Sequence, residues 1–246
     1  MSFSKINIAM NNKKKIILST YLFCMIIFIV IIFDGFSLQE IISLEFLLIL
    51  KESFIEISQN NTLITSLGII ILALLWAFFL GFNAPIGIFS GMILGSYLGT
   101  VISLIGLTAG ATLLYISAQY LFKKNLNNLF KNKYSNIRGK FHNNELIFFV
   151  LYRIFVGIPF GISNLVAVLF NVQTKNFIIG TIIGIFPSIF IWASIGSGFD
   201  NIISKNQEIP GMSEMISSPE IRTPIIYFMI FVALVFLGKK LVNRQS

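Results

Sequence analysis

Charge is scarce in this chain, and residues that carry chemistry are scarcer. Only 11% of its 246 residues are charged, with one cysteine and one histidine among them. Cys24, being alone, excludes an intramolecular disulfide, a thiolate metal cluster and an Fe–S site; it reads as a small apolar side chain in the first helix. His142 sits in a polar, basic loop without a second His or Cys beside it, which excludes a ligand set of the usual kind. The ten carboxylates are scattered at the edges of the apolar blocks rather than converging. Acid–base and metal-assisted catalysis both need convergent groups, so the sequence reads as a non-enzyme without cofactors.

What the chain has is apolar surface. Hydrophobic residues make up 56% of it, and 26 residues are Phe, a balance that a water-soluble domain cannot keep off its surface. Runs of bilayer-crossing length, roughly 20 residues, lie at Ile16 to Phe33, Thr62 to Phe82, Phe177 to Ile195 and Pro224 to Leu237, with denser blocks at 84–122 and 146–170. A transmembrane β-barrel shows alternating segments of about ten residues instead. The fold expected is an all-α polytopic membrane protein. The opening stretch "KKKIILSTYLFCMIIFIVIIF" exceeds a signal-peptide core and lacks a small-x-small cleavage site, so it reads as an uncleaved first helix.

The Lys/Arg bias of short loops sets orientation. Lys5, Lys13, Lys14 and Lys15 stand without an acid; 34–59 is acidic; 123–145 is basic; 198–222 is mildly acidic; the tail carries Lys239, Lys240 and Arg244. Both termini and the 123–145 loop are therefore expected on the cytoplasmic side, where anionic lipid also favours them. That basic loop matches no nucleic-acid-binding motif, and no nucleic-acid partner is expected. Residues 37–59 place Ile41, Leu44, Leu48 and Phe54 or Ile55 at helical spacing, as an interfacial amphipathic helix or a surface helix packed on the bundle. The expected division is an N-terminal membrane helix with this amphipathic segment (1–61), a membrane domain (62–200), and an outer loop with a C-terminal membrane helix (201–246).

Two apolar blocks are interrupted. In the first, Gly87, Gly91, Gly95 and Gly99 recur every four residues and Ser103 continues the series; on one helix they form a flat ridge for close backbone approach, as do Gly106 and Gly110. On the charge-based topology this block starts and ends in the cytoplasm yet is short for two spans, leaving a thin pair of spans or a hairpin plus a tilted helix. The second block has basic or polar flanks at both ends, so it enters and leaves from one face, and at about 1.5 Å per residue it is too short for two crossings. A re-entrant hairpin broken at Pro159 and Gly161 follows, tolerated only inside protein or against a wet cavity. "APIGIF" (Pro85, Gly87) is echoed by "IPFGIS" (Pro159, Gly161), a hint of the inverted repeats from which many transporters build a midplane site.

"GMILGSYLGTVISLIGLTAGATLLYISAQY" (91–120) and "FFVLYRIFVGIPFGISN" with "FIIGTIIGIFPSIFIWASIGS" (148–197) resemble the DedA superfamily, which includes the SNARE-associated Golgi protein (VTT) domain. Gly91, Gly95, Gly99, Gly106 and Gly110 resemble its first motif; Phe149, Arg153, Pro159 and Asn164 its F-x-x-x-R-x-x-P-x-x-P motif with a downstream Asn; Gly180, Gly184 and Pro187 its closing G-x-x-x-G-x-x-P. Val156, Val168 and Gln119 depart from the pattern. The resemblance implies two re-entrant helices meeting near the membrane centre and movement of phospholipid or another phosphate-bearing lipid between leaflets, as in scramblases and flippases; the short loops point to a cell membrane of bacterial type. Several bacterial members pair the arginine with embedded acids; no Asp or Glu of this chain lies deep in an apolar block.

Arg153 carries the sharpest question, since an arginine at membrane depth costs about 3 to 17 kcal/mol and persists only with a partner or in water. Its planar fork of donors suits phosphate oxygens, with Ser163 and Asn164 adding neutral hydrogen bonds, so Arg153, Pro159, Gly161, Ser163 and Asn164 form the expected lipid-binding set. It can instead satisfy carbonyls freed at Pro159, snorkel to the near face, or reach back to Glu145. Pro85, Gly87, Gly91, Gly95, Gly99, Gly106, Gly110, Gly180, Gly184 and Pro187 are expected to serve packing and re-entrant geometry, Pro187 as a breaker or kink. Membrane lipids are the expected partners, with self-association left open. A non-transporting membrane scaffold, binding partners through its glycine ridge and basic loop, is the alternative.

Overall fold

The computed structural model describes residues 12–33, 49, 52–54, 56, 61–130, 145–154, 160–205 and 217–242. Most of the amphipathic segment, most of the basic loop, and both Val156 and Pro159 lie outside them. Phe54, which is described, packs edge-on against Phe89, ring centroids 5.6 Å apart, and so rests on the bundle.

The described residues form helices only: α1 (Asn12–Phe33), α2 (Thr62–Phe79), α3 (Ala84–Phe130), α4 (Glu145–Ile154), α5 (Phe160–Phe170), α6 (Thr174–Lys205) and α7 (Pro219–Val242). Among these residues α1, α2, α3 and α6 are long and apolar enough to cross a membrane, which makes the chain an all-α polytopic membrane protein. Asn61 caps α2, its side chain accepting from the N–H groups of Leu63 and Ile64.

α3 is not one rod. Gly95 has φ 76° and ψ 174°, a backbone that only glycine adopts without strain. The Oγ atoms of Ser90 and Ser103 are 2.6 Å apart, whereas on a straight helix they would be separated by about 20 Å. The chain therefore folds back at Gly95 into a short arm, 84–94, and a long arm, 96–130. This corrects the ridge expected from the glycine spacing. Gly87 and Gly91 lie on the short arm, Gly99 and Ser103 on the long one, and the arms face each other across Gly99, where a methyl would come within 2.7 Å of the Ser90 carbonyl oxygen.

The short arm is about 16 Å long, half of a roughly 30 Å hydrocarbon core. It follows α2 across a turn, Leu80 to Asn83, in which Gly81 is buried and bonded to Gly161 while Phe82 is exposed. Gly106 packs on Ile70 and Ala73, and Gly110 on Leu74 and Ala77, so α2 runs parallel to the long arm. The short arm returns antiparallel between their levels. Residue 84 thus starts at the tip of a hairpin and not at a membrane face, which resolves the topological conflict over 84–122.

A second hairpin, α4 and α5, enters from the opposite face. Glu145, at the start of α4, bonds the backbone N–H of Gln173, beyond the end of α5, so both arms begin at one level. The tips meet where the Gly161 N–H donates to the Gly81 carbonyl at 2.7 Å. α6 backs both hairpins. Phe149 and Arg153 of α4 pack on Gly180 and Gly184 in its first half, and Gly87 and Gly91 of the short arm on Trp192 and Ala193 in its second. Pro187 lies between these contacts, inside α6, which continues through it, so of its two expected roles, breaker or kink, it does not end the helix. α7 closes the far end through Ile221 against Ile202.

Candidate functional site

α4 presents Glu145, Phe149 and Arg153 on one buried face, at successive spacings of four residues. Gly184 is what lets Arg153 in: a methyl there would stand 2.3 Å from the arginine Cβ. Gly180 makes the same room for Phe149, with 2.6 Å to its ring.

Arg153 is only 8% exposed. Its Nη1 donates to Ser163 Oγ at 2.8 Å and its Nη2 to Asn164 Oδ1 at 2.6 Å. Ser163 in turn donates to the Phe160 carbonyl at 2.7 Å, which fixes its lone pairs toward the guanidinium. The rings of Phe149, Phe160 and Phe177 surround the guanidinium carbon, with centroids 4.9, 5.0 and 5.1 Å away. Such faces stabilise a desolvated cation by about 2 kcal/mol or more.

Among the described residues Arg153 has no carboxylate partner, so its charge is solvated only by neutral oxygens and π faces. Two donors are left over at the same spot: Arg153 Nε and Asn164 Nδ2 are buried and unbonded. Unpaired buried donors cost about 1–3 kcal/mol each. The structure therefore brings Arg153, Ser163 and Asn164 together as expected, with Gly161 at the tip contact one turn away; Pro159 lies outside the described residues.

Sequence reasoning did not assign Glu145 its place. It is buried, and its Oε1 accepts from the Gln173 N–H at 2.6 Å and from Asn176 Nδ2 at 2.9 Å. It clamps the start of α4 to the start of α6 instead of reaching for Arg153. Tyr115 stacks on Phe177, centroids 4.3 Å apart, and donates its hydroxyl to the Val172 carbonyl. Gln119, where the resemblance expected arginine, donates to that same hydroxyl. An aromatic column thus links Arg153 to the turn between α5 and α6. Gly81 was also unassigned, although a glycine closing an apolar helix is a C-cap signal; its φ is 69°.

The re-entrant arms, the buried arginine and its Asn lie in one continuous region, and the family model of the VTT domain matches residues 83–198. The chain carries a VTT domain. That domain holds the short arm, the long arm, the second hairpin and α6 as far as residue 198, so the DedA-type motifs and the re-entrant geometry coincide. The "Transmembrane protein 41 homolog" of Dictyostelium discoideum is 30% identical over 146 residues, covering 56% of this chain and 42% of that protein. The chain thus aligns with less than half of that relative's length. No solved structure matches it.

Proposed function

We propose that this VTT-domain protein moves phospholipid, or another phosphate-bearing lipid, between leaflets, with Arg153 receiving the headgroup phosphate. The observation that carries this reading is a fixed cation with no buried acid beside it among the described residues and two donors without acceptors, Arg153 Nε and Asn164 Nδ2. A phosphate oxygen would accept from both, and guanidinium pairs with phosphate through two parallel bonds.

Access sets the mechanism. At 8% exposure the guanidinium meets a headgroup only when the hairpin tips part, and the backbone bond from Gly161 to Gly81 is the contact that yields. The headgroup then crosses between the tips while its tails stay in lipid. Because the buried acid, Glu145, is bonded into the α5–α6 turn, the reading is one of passive exchange. The setting we infer is a bacterial-type cell membrane, with the Glu145 face cytoplasmic, as the basic segments favour.

The test is leaflet exchange of a fluorescent phospholipid in liposomes holding wild type, Arg153→Ala or Arg153→Lys, with and without a pH gradient. Exchange is expected to fall by about tenfold or more on loss of one charge-assisted contact pair, and to ignore the gradient. Undiminished exchange in folded Arg153→Ala would overturn the assignment.

A further inference from the structure

A second feature, apart from the arginine, is an apolar cavity of about 480 Å³ on the Glu145 side of the tip contact, within the roughly 300–1,000 Å³ of small-molecule sites. Leu18 and Tyr21 of α1 form one wall, and Leu114, Ser117 and Leu121 of the long arm the other; Gly161 stands at its deep end beside Gly81. From Phe122 to Leu114 the long arm extends about 12 Å, so the cavity is a slot running from the face inward.

A cation stands at its mouth. Lys14 Nζ donates to the Leu121 carbonyl at 3.3 Å and lies 5.3 Å from the centre of the Tyr120 ring. An ammonium has three N–H donors, and this carbonyl uses one of them, which leaves two for a further acceptor. Lys13 and Lys15 flank it and are exposed. An occupant must then be an amphiphile, apolar along one chain and anionic at one end.

We propose that this slot holds one acyl chain of an anionic glycerophospholipid from the surrounding bilayer, with its phosphate on Lys14 and its tail end against the Gly81–Gly161 contact. α1, otherwise largely exposed along its length, is held to the bundle there by the Tyr21 hydroxyl, which donates to the Phe78 carbonyl at 2.8 Å. Lys14 on Leu121 and the rings of Tyr21 and Phe28 on Phe78 and Phe79 add to that hold, and the bound lipid fills the gap that these contacts leave between α1 and the long arm.

The test uses purified full-length protein in nanodiscs with photoactivatable phosphatidylglycerol or phosphatidylcholine, each carrying a diazirine near the end of one acyl chain. Adducts should map to residues 114–122 and 79–82, with phosphatidylglycerol preferred about fivefold, the value of one lysine at an anionic surface. Lys14→Ala should erase the preference. Ser117→Phe and Leu114→Trp, at two half-exposed lining positions, should each empty the slot; either suffices if the other misfolds. Adducts that both filling variants leave intact, or equal labelling by the two lipids in wild type, would overturn the proposal. The readout needs no transport and is independent of the Arg153 reading.

Discussion

Gly184→Ala offers a mechanical test of the arginine without touching its charge. The added methyl would stand 2.3 Å from Arg153 Cβ and 3.2 Å from both Arg153 Cγ and the Val150 carbonyl oxygen, against 3.4 Å or more for ordinary contact. The obstacle is the rigid root of the side chain and a backbone atom, so α4 must move off α6 by about an ångström. Overpacking of this kind costs about 1–3 kcal/mol. The bonds at 2.8 and 2.6 Å to Ser163 and Asn164 cannot both stretch so far within the roughly 3.2 Å limit of a hydrogen bond. Gly110→Ala is the matched control, since its methyl would stand 2.2 Å from the Leu74 carbonyl oxygen in the α2 contact, away from Arg153. Both variants should melt earlier in detergent, by about 2–12 °C for 1–3 kcal/mol at this chain length. Leaflet exchange measured well below both midpoints should fall about tenfold or more in Gly184→Ala, through loss of a charge-assisted bond, and change little in Gly110→Ala. Equal exchange in the two variants, or a Gly184→Ala protein as stable as wild type, would refute the reasoning.

Three further substitutions probe the hairpins. Gly95→Ala meets no atom within 4 Å but must hold φ 76° with ψ 174°, so thermal denaturation should show backbone strain alone, about 1–3 kcal/mol, and Gly95→Asn, which is tolerated only in the left-handed helical region, should show a similar loss. Ser90→Ala leaves the buried Ser103 hydroxyl without this partner and should cost about 1–3 kcal/mol, whereas after Ser103→Ala the Ser90 hydroxyl still donates to the Gly87 carbonyl and the cost should be smaller; the double variant should cost less than the sum, as a double-mutant cycle of melting curves would read. Glu145→Ala removes the acceptor of Gln173 N–H and Asn176; a loss of about 2–3 kcal/mol is expected, with faster hydrogen exchange at Gln173.

The second hairpin was legible because its evidence is local in sequence. Polar flanks at both ends put them on one face, and a block of that length cannot cross twice. Arg153, Ser163 and Asn164 then fall on facing arms. The first hairpin was not legible for a physical reason: a glycine every fourth residue suits a packed helical face and a break equally, since glycine adopts both backbones. What decides for a break at Gly95 is the meeting of Ser90 with Ser103 and of the short arm with α6, contacts no local window contains. Glu145 failed for a related reason. A carboxylate at the edge of an apolar block reads as one scattered acid or as a distant partner for Arg153, and its burial depends on a turn 28 residues away.

The inverted arrangement also sets the electrostatics of the tips. Four helix ends gather there: the C-terminal ends of α2 and α4 and the N-terminal ends of α3 and α5. The C-terminal ends, which carry partial negative charge, are already answered. The N–H groups of Leu80 and Gly81 both bond the Trp76 carbonyl, and Arg153 occupies the last turn of α4. The N-terminal ends are not answered in the same way, for neither α3 nor α5 has an acid in its first turn. One backbone donor of α5, Gly161 N–H, is spent on the tip contact itself. On the proposed opening of the tips, that donor and the buried arginine are released together, and the local sum is positive. An anion arriving between the tips replaces the bond that opening breaks, whereas a neutral headgroup does not. Phosphate-bearing lipids should therefore exchange faster than neutral diacylglycerol through the same opening, and a protein that moved both equally would show that the arginine serves the fold alone.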